Sequence, residues 1–497
     1  MTPHAFGWIN WLVLLTYLFA TVGLGLYFSR GNKELRHFMF GSGRIPWWAV
    51  GISLIATSLS ASSFLGNPEY VFKANMALLM YQIGGFIAIL FSIKIFIPFI
   101  RNQNVSSAYE ILEIHFDGKT RTLAALIYVF NLMFRVGILM YGPALLFSEI
   151  LNITVTQAIL IIGVIAILYT YFGGMEAVIW TDVMQFFVLI GSSLFIFFYL
   201  GSQGDTLSSL WKLSAEAGHT QIFNFDFDLS QANNFWTLGL MVFVVELAVR
   251  TTDQQFVQRY LCVKSIKEAQ KSAFLSWGLG FVFTLIFMLV GVFLYAFFQL
   301  HPIEGGESIA AKKAFSYFIV NYLPDGVTGI LVAGIFAAAM SSLDSALTAL
   351  SNTFSVDFLK KYSPDLLDKT HFQLVRWSIL GFGVLGVGAG VYISQTEHDL
   401  LSTALMYTSL FLGPLLGLFI LALLPKKLAG TGVFIGTIIG AFSLIPFKPA
   451  LVTNVFPQLK FEPVYALSWP LFPIITCLST VVFGYFLGRR LLEKGDV

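Results

Sequence analysis

Residues 334–357 read GIFAAAMSSLDSALTALSNTFSVD, and the reading of that stretch decides the fold. It continues the apolar run Gly329–Val332 as one long helix. Ala338, Ser341, Ser342 and Ser345 recur at spacings of three and four, so they share one face, with Asp344 close beside it. Thr348, Asn352 and Ser355 extend the polar stripe toward Lys360 and Lys361. In water this would be an ordinary wet face. In a bilayer the stripe must meet protein, an ion or water, because lipid offers it no partner. Hydroxyls, a main-chain carbonyl and a carboxylate suit a hard cation such as sodium. A seam of small residues for close helix packing is the competing reading, and the stretch alone leaves both open.

Composition supplies the surroundings. Hydrophobic residues are 57% of the 497 and charged ones 11%, whereas soluble domains run at about 45–50% and 25%. The sequence therefore reads as an all-α polytopic membrane protein. A net charge of +2 without a basic patch implies no nucleic-acid partner. Cys262 and Cys477 give neither metal spacing nor a disulfide framework. The first apolar run begins near Phe6, with no basic residue before it and no small-residue cleavage site. It is expected to be a retained spanning helix.

Apolar stretches of spanning length recur about thirteen times, at 8–28, 47–72, 77–99, 121–150, 154–171, 176–200, 235–260, 270–299, 325–360, 372–394, 399–424, 430–446 and 466–488. Alternate connections carry the basic residues: Arg30, Lys33, Arg36 and Arg44, then Arg101, Lys119 and Arg121, then Arg259, Lys264, Lys267 and Lys271. Lys360, Lys361, Lys369 and Arg376, then Lys426 and Lys427, then Arg489, Arg490 and Lys494 continue the pattern. The positive-inside rule makes these connections cytoplasmic, with the N-terminus outside and the C-terminus inside a multi-pass cell-membrane protein. The longest loop, 201–234, is then exterior, and no loop is long enough for a soluble catalytic head.

The second span is interrupted by Ala56-Thr-Ser-Leu-Ser60-Ala-Ser-Ser63, ahead of Gly66 and Pro68. Hydroxyls compete for backbone hydrogen bonds, and a helix broken at mid-membrane marks the binding site of a secondary transporter. A kink without a ligand is the plainer alternative. Other costly residues lie in later spans: Gln82, Arg135, Asp182, and the pair Glu246 and Arg250 four residues apart. Glu246 and Arg250 can simply neutralise each other, and Arg135 can brace carbonyls. No nucleophile, metal or nucleotide motif stands out, so an enzyme is not expected; His371 and His398 sit at helix edges.

Three stretches carry a resemblance: Gly173-Gly174 through Trp180-Thr181-Asp182 to Gln185, Asp253-Gln254 through Gln258-Arg259-Tyr260, and Ser341-Ser342-Leu-Asp344-Ser345. Together they resemble the sodium/solute symporter family, and the similarity runs from the first span to about residue 424. The resemblance implies the leucine-transporter fold, a 5+5 inverted repeat. Residues 1–46 would be a leading helix and loop, 47–200 the first five-helix repeat, and 201–234 an exterior loop. The second repeat would occupy 235–424, with two accessory helices in 425–497.

Carried over from that family, a principal sodium site falls on the carbonyls of Ala56 and Leu59 with Ala338, Ser341 and Ser342. A second site for sodium or a proton falls on Asp182, Ser341, Asp344 and Ser345, where Asp344 stands in place of a serine. Ser58, Ser60, Ser63, Gln82, Arg135 and Glu246 would line the solute cavity. The implied activity is sodium-coupled symport of a small polar solute by a monomer in the lipid bilayer, with sodium as the coupling ion. Arg135 favours a sugar acid such as a sialic acid; a neutral monosaccharide or polyol is the alternative, with Arg135 then serving the fold or pairing with Glu246. A channel or ion sensor fits less well, because a single asymmetric chain does not supply the rings of repeated subunits that a channel uses.

Overall fold

The computed structural model describes residues 6–493 except 30–33, 152, 203–205, 232–233, 303–313, 396–399 and 448–466. Arg30, Lys33, His398 and Lys494 lie outside the described residues. The described chain is helical. Among the described residues ten helices are long and apolar enough to cross a membrane, a bent helix pair makes an eleventh, and there are two shorter apolar helices, Phe411–Leu423 and Gly430–Phe442.

In chain order the principal helices are α1 (Trp8–Ser29), α2 (Trp47–Ser58), α3 (Ala61–Lys73), α4 (Tyr81–Phe91), α5 (Gly118–Leu151), α6 (Val155–Phe172) and α7 (Met175–Gly201). After the loop come α8 (Leu240–Thr252), α9 (Gln254–Leu261), α10 (Ile266–Leu300), α11 (Val327–Thr353), α12 (Asp368–Ser394), α13 (Leu400–Leu423), α14 (Gly430–Phe442) and α15 (Phe472–Glu493).

The stretch that opened the sequence reading forms the centre of this bundle. Every residue of α11 from Leu331 to Thr353 is buried, and the helix packs against α1, α2, α5, α7 and α12. A spanning helix surrounded by other helices has no lipid-facing side, which is why its polar stripe is tolerated. The outer helices instead carry the exposed apolar side chains, such as Phe86 and Phe91 on α4, Phe187 and Phe198 on α7, and Val384 and Leu385 on α12.

The interrupted second span is two helices whose axes diverge by 56°. Leu59 and Ser60 between them are extended, with φ and ψ of −82° and 109°, and −106° and 167°. The seventh span differs from expectation. Rather than one helix over 235–260, it breaks at Asp253, which is extended at φ −78° and ψ 119°. The cause is local: the Asp253 carboxylate accepts the Gln255 N–H at 2.9 Å and caps a new helix, α9, in place of continuing α8. Tyr109 donates to the freed Thr252 carbonyl at 2.8 Å. Close packing holds α8 in position: a Cβ on Gly84 of α4 would lie 2.4 Å from the Gly239 carbonyl oxygen, so the two backbones meet directly.

Two cations counted with the solvated basic connections are buried instead. Arg121 reaches Asp357 at 2.8 Å, Glu113 at 2.6 Å and the Val356 carbonyl at 2.7 Å, tying the start of α5 to the far end of the central helix. Arg259, on α9, is fully buried, and its partners are described below. Charge patterning counts residues by position between spans, and these two lie inside the protein because carboxylates and carbonyls meet their donors.

Candidate functional site

The break between α2 and α3 leaves main-chain carbonyls without the helical N–H that would normally satisfy them. Hydroxyls from α11 take that place. Ser341 Oγ donates to the Ala56 carbonyl at 3.0 Å, and Ser342 Oγ lies 3.1 Å from the Thr57 carbonyl and 3.3 Å from that of Leu59. Both hydroxyls also lie near the Ala338 carbonyl, at 3.3 and 3.2 Å. All five residues expected at the principal sodium site therefore converge, with the Thr57 carbonyl as a sixth oxygen. The cluster is buried, uncharged and made wholly of oxygen, a donor set that fits a hard monovalent cation. Rotation of two hydroxyls would turn lone pairs to it.

One turn along α11 lies a charged cluster. Ser345 Oγ donates to the Ser341 carbonyl at 2.6 Å and approaches Thr57 Oγ1 at 3.1 Å and Asp344 Oδ1 at 3.3 Å, so the two clusters share a wall. Asp182 of α7 accepts Ser53 Oγ of α2 at 2.5 Å. Arg259 enters from α9: Nη2 lies 2.9 Å from Asp182 Oδ2 and also donates to Ser345, Nε lies 2.7 Å from Ser53 Oγ, and Nη1 lies 2.9 Å from the Gln255 carbonyl. Asp182 Oδ1 and Asp344 Oδ2 are buried and have no hydrogen-bond partner among the described residues. Asp182 thus pairs with the guanidinium and Asp344 with Ser345, and one oxygen of each carboxyl group is left over. Asp182, Ser341, Asp344 and Ser345 do come together, with Arg259, which sequence reading counted among the basic connections, as a resident cation between Asp182 and Ser345. Arg259, Ser53 and Thr57 were missed as members. Arg259 stood within a quoted motif, and the usable signal was its place seven residues past Thr252, inside rather than beyond the span.

The residues expected to line the solute cavity are less closely gathered. Ser60 and Ser63 face each other at 3.4 Å, and Ser58 Oγ turns back to the Leu54 carbonyl at 3.1 Å. Gln82 Nε2 donates to Thr284 Oγ1 of α10 at 3.0 Å. Glu246 takes Arg250 Nε at 3.1 Å, and Arg250 also reaches Ser276 at 3.0 Å, so the neutralising pair is real. Glu246 keeps a side chain 36% exposed. The idea that Arg135 pairs with Glu246 is overturned: each has a different partner. Arg135 Nη1 lies 3.4 Å from Asp253 Oδ2, while Tyr128 donates to Asp253 Oδ1 at 2.8 Å. Asp253 caps α9 and is nearly saturated. Arg135 spends one nitrogen on a long contact and keeps a side chain 18% exposed, so the rest of its fork remains for another acceptor.

Comparison with known proteins shows the family and the fold. Residues 38–440 match the sodium:solute symporter family. The chain is 28% identical to the sodium/sialic acid symporter NanT of Aliivibrio fischeri, over 98% of this chain and 94% of that protein. It is 30% identical to the sodium/sialic acid symporter SiaT of Proteus mirabilis, over 92% of each. Against human sodium-coupled monocarboxylate transporter 2 the identity is 25%, over 95% of this chain and 76% of that one. Among solved structures, a Na+-coupled sialic acid symporter in a substrate-bound outward-open state superposes with a TM-score of 0.85 at 27% identity, covering 98% of both chains. Mhp1, a nucleobase-cation-symport-1 transporter, shares the fold at a TM-score of 0.56 and 13% identity.

Proposed function

The chain belongs to the sodium:solute symporter family, and from that premise we propose that its solute is a hydroxylated organic acid, a sialic acid before others. It is a multi-pass membrane transporter that couples the movement of a small polar solute to sodium, not an enzyme. The observation that carries the solute reading is Arg135: largely buried, permanently charged, and holding Asp253 through one nitrogen only. A solute carboxylate takes the remaining fork in a bidentate pair, while Gln82, Glu246 and the serines at Ser58, Ser60 and Ser63 meet its hydroxyls. Relatives named as sialic acid symporters support this choice.

Sodium enters as cargo. The six-oxygen cluster at the α2–α3 break is the principal site, and Asp182, Ser341, Asp344 and Ser345 form a second cation site, supported by the two unpartnered carboxylate oxygens. Each sodium moving down 100 mV contributes about 2.3 kcal/mol from voltage alone. The transporter works as a monomer with its N-terminus outside, built from repeats 47–200 and 235–424. The two breaks, one in the first helix of each proposed repeat, support that division. Residues 1–46 precede the repeats, 201–234 form the exterior loop between them, and 425–497 carry accessory helices.

The test is competition in sodium-driven uptake between a sugar acid and its uncharged parent sugar, in wild type and in Arg135→Lys. The acid should compete in wild type and weaken in the lysine variant, because a point charge cannot replace the fork. A second reading, a neutral monosaccharide or polyol, is favoured by the same Arg135–Asp253 contact, which would then serve the fold alone. Stronger competition by the neutral sugar, unchanged in Arg135→Lys, would establish it.

A further inference from the structure

Helix α9 joins the two proposed ligand sites. Its N-cap, Asp253, holds Arg135, the proposed solute contact, at 3.4 Å. Six residues on, Arg259 holds Asp182 at 2.9 Å and also donates to Ser345, both from the proposed second cation site. Six residues of helix span about 9 Å, so both attachments sit on one short rigid rod. That rod begins at an extended residue, where the main chain can hinge without breaking a helical hydrogen bond.

We propose that α9 is the coupling element of the transporter, held by two ion-pair latches that the solute and the cation each release from their own end. This rests on the proposed solute and second cation site. A carboxylate on the remaining fork of Arg135 brings a second negative charge beside Asp253 and draws the guanidinium away from its long 3.4 Å contact. A cation between Asp182 and Asp344 places a positive charge beside the Arg259 guanidinium, in surroundings where water does not screen the repulsion. The unpartnered Asp182 Oδ1 and Asp344 Oδ2 are the atoms it would touch first. Either ligand loosens the rod, so the second finds part of the work done. That is positive coupling, and it is reciprocal. Arg259 acts here as a positioning residue, since it touches neither solute nor the principal sodium site.

Hydrogen–deuterium exchange of the peptide Gln254–Leu261 in the purified full chain tests this, with sodium replacing choline at constant ionic strength. Sodium should raise wild-type exchange in α9 by about tenfold. In Arg259→Lys, which keeps the charge and loses the fork, exchange should already be raised in choline and sodium should add little. In Asp253→Asn the baseline should rise but the sodium response should persist, because the cation latch is intact. Sialic acid in choline should raise wild-type exchange from the other end. If sodium raises the melting temperature but leaves α9 unchanged in wild type, or Arg259→Lys keeps the full response, the cation latch is overturned. If sialic acid raises the melting temperature without changing α9, the solute latch falls. A wild type whose melting responds to neither ligand removes the proposed second cation site and solute readings, and the inference with them.

Discussion

The two broken helices of this protein solve the same problem with opposite chemistry. At the α2–α3 break the freed carbonyls of Ala56, Thr57 and Leu59 are met by neutral hydroxyls of Ser341 and Ser342. At the α8–α9 break the first extended residue is itself a carboxylate, and Asp253 gathers Arg135, Tyr128 and the Gln255 N–H. A neutral oxygen cluster in low dielectric is free to gain and lose a cation, because it carries no charge of its own to compensate. A charged break must keep a partner at all times, and so behaves as a latch. One break suits a ligand site and the other a moving joint.

The sharpest way to break this contrast is to remove the charge at the second joint. Asp253→Ala strands Arg135 and uncaps α9, and should cost about 3–5 kcal/mol of stability. Ser60→Ala at the first joint should cost at most about 1 kcal/mol. Unfolding of both variants in the same detergent compares them directly; equal melting would remove the distinction.

Next in size is Asp182→Asn. Losing a cation from the cycle forfeits about 2.3 kcal/mol of driving force per 100 mV. The sodium-to-solute ratio from reversal potentials should fall, and a ratio unchanged in the variant would leave Asp182 and Asp344 a structural pair.

Arg135→Lys follows. Loss of one charge-assisted hydrogen bond should weaken an acid solute by about 1.5 kcal/mol, roughly tenfold. Uptake titrated with a sugar acid at saturating sodium reads it out. If the apparent affinity holds, Arg135 belongs to the α9 latch and not to the solute.

The smallest effect belongs to the neutral joint. Ser342→Ala removes one hydroxyl from six oxygens and should raise the sodium concentration for half-maximal uptake several-fold, about 1 kcal/mol. Solute affinity at saturating sodium should stay near wild type. Unchanged sodium dependence would take Ser342 out of the site.

The first break was legible in the sequence because five Ser or Thr residues crowd into residues 56–63, a density that a plain spanning helix does not need. The second was not, since Thr251-Thr252-Asp253-Gln254-Gln255 lies inside the span read as 235–260, with no dense cluster of hydroxyls and no proline to mark a break. Ala56, Leu59, Ala338, Ser341 and Ser342 converge at the first break, whereas Gln82, Arg135 and Glu246, proposed to meet the solute, each have a local partner.

The sequence by itself determined that the chain is a multi-pass membrane protein, where its long apolar segments lie, and which face of residues 334–357 is polar. These follow from composition and from the helical period, both local properties of the chain. Only the tertiary structure decided that Arg259 is the cation between Asp182 and Ser345, that Arg135 holds Asp253 rather than Glu246, and that α9 stands apart from α8. An ion pair forms where helices distant in sequence bring opposite charges together away from water, and neither the distance nor the burial is written in the spacing of residues along one chain.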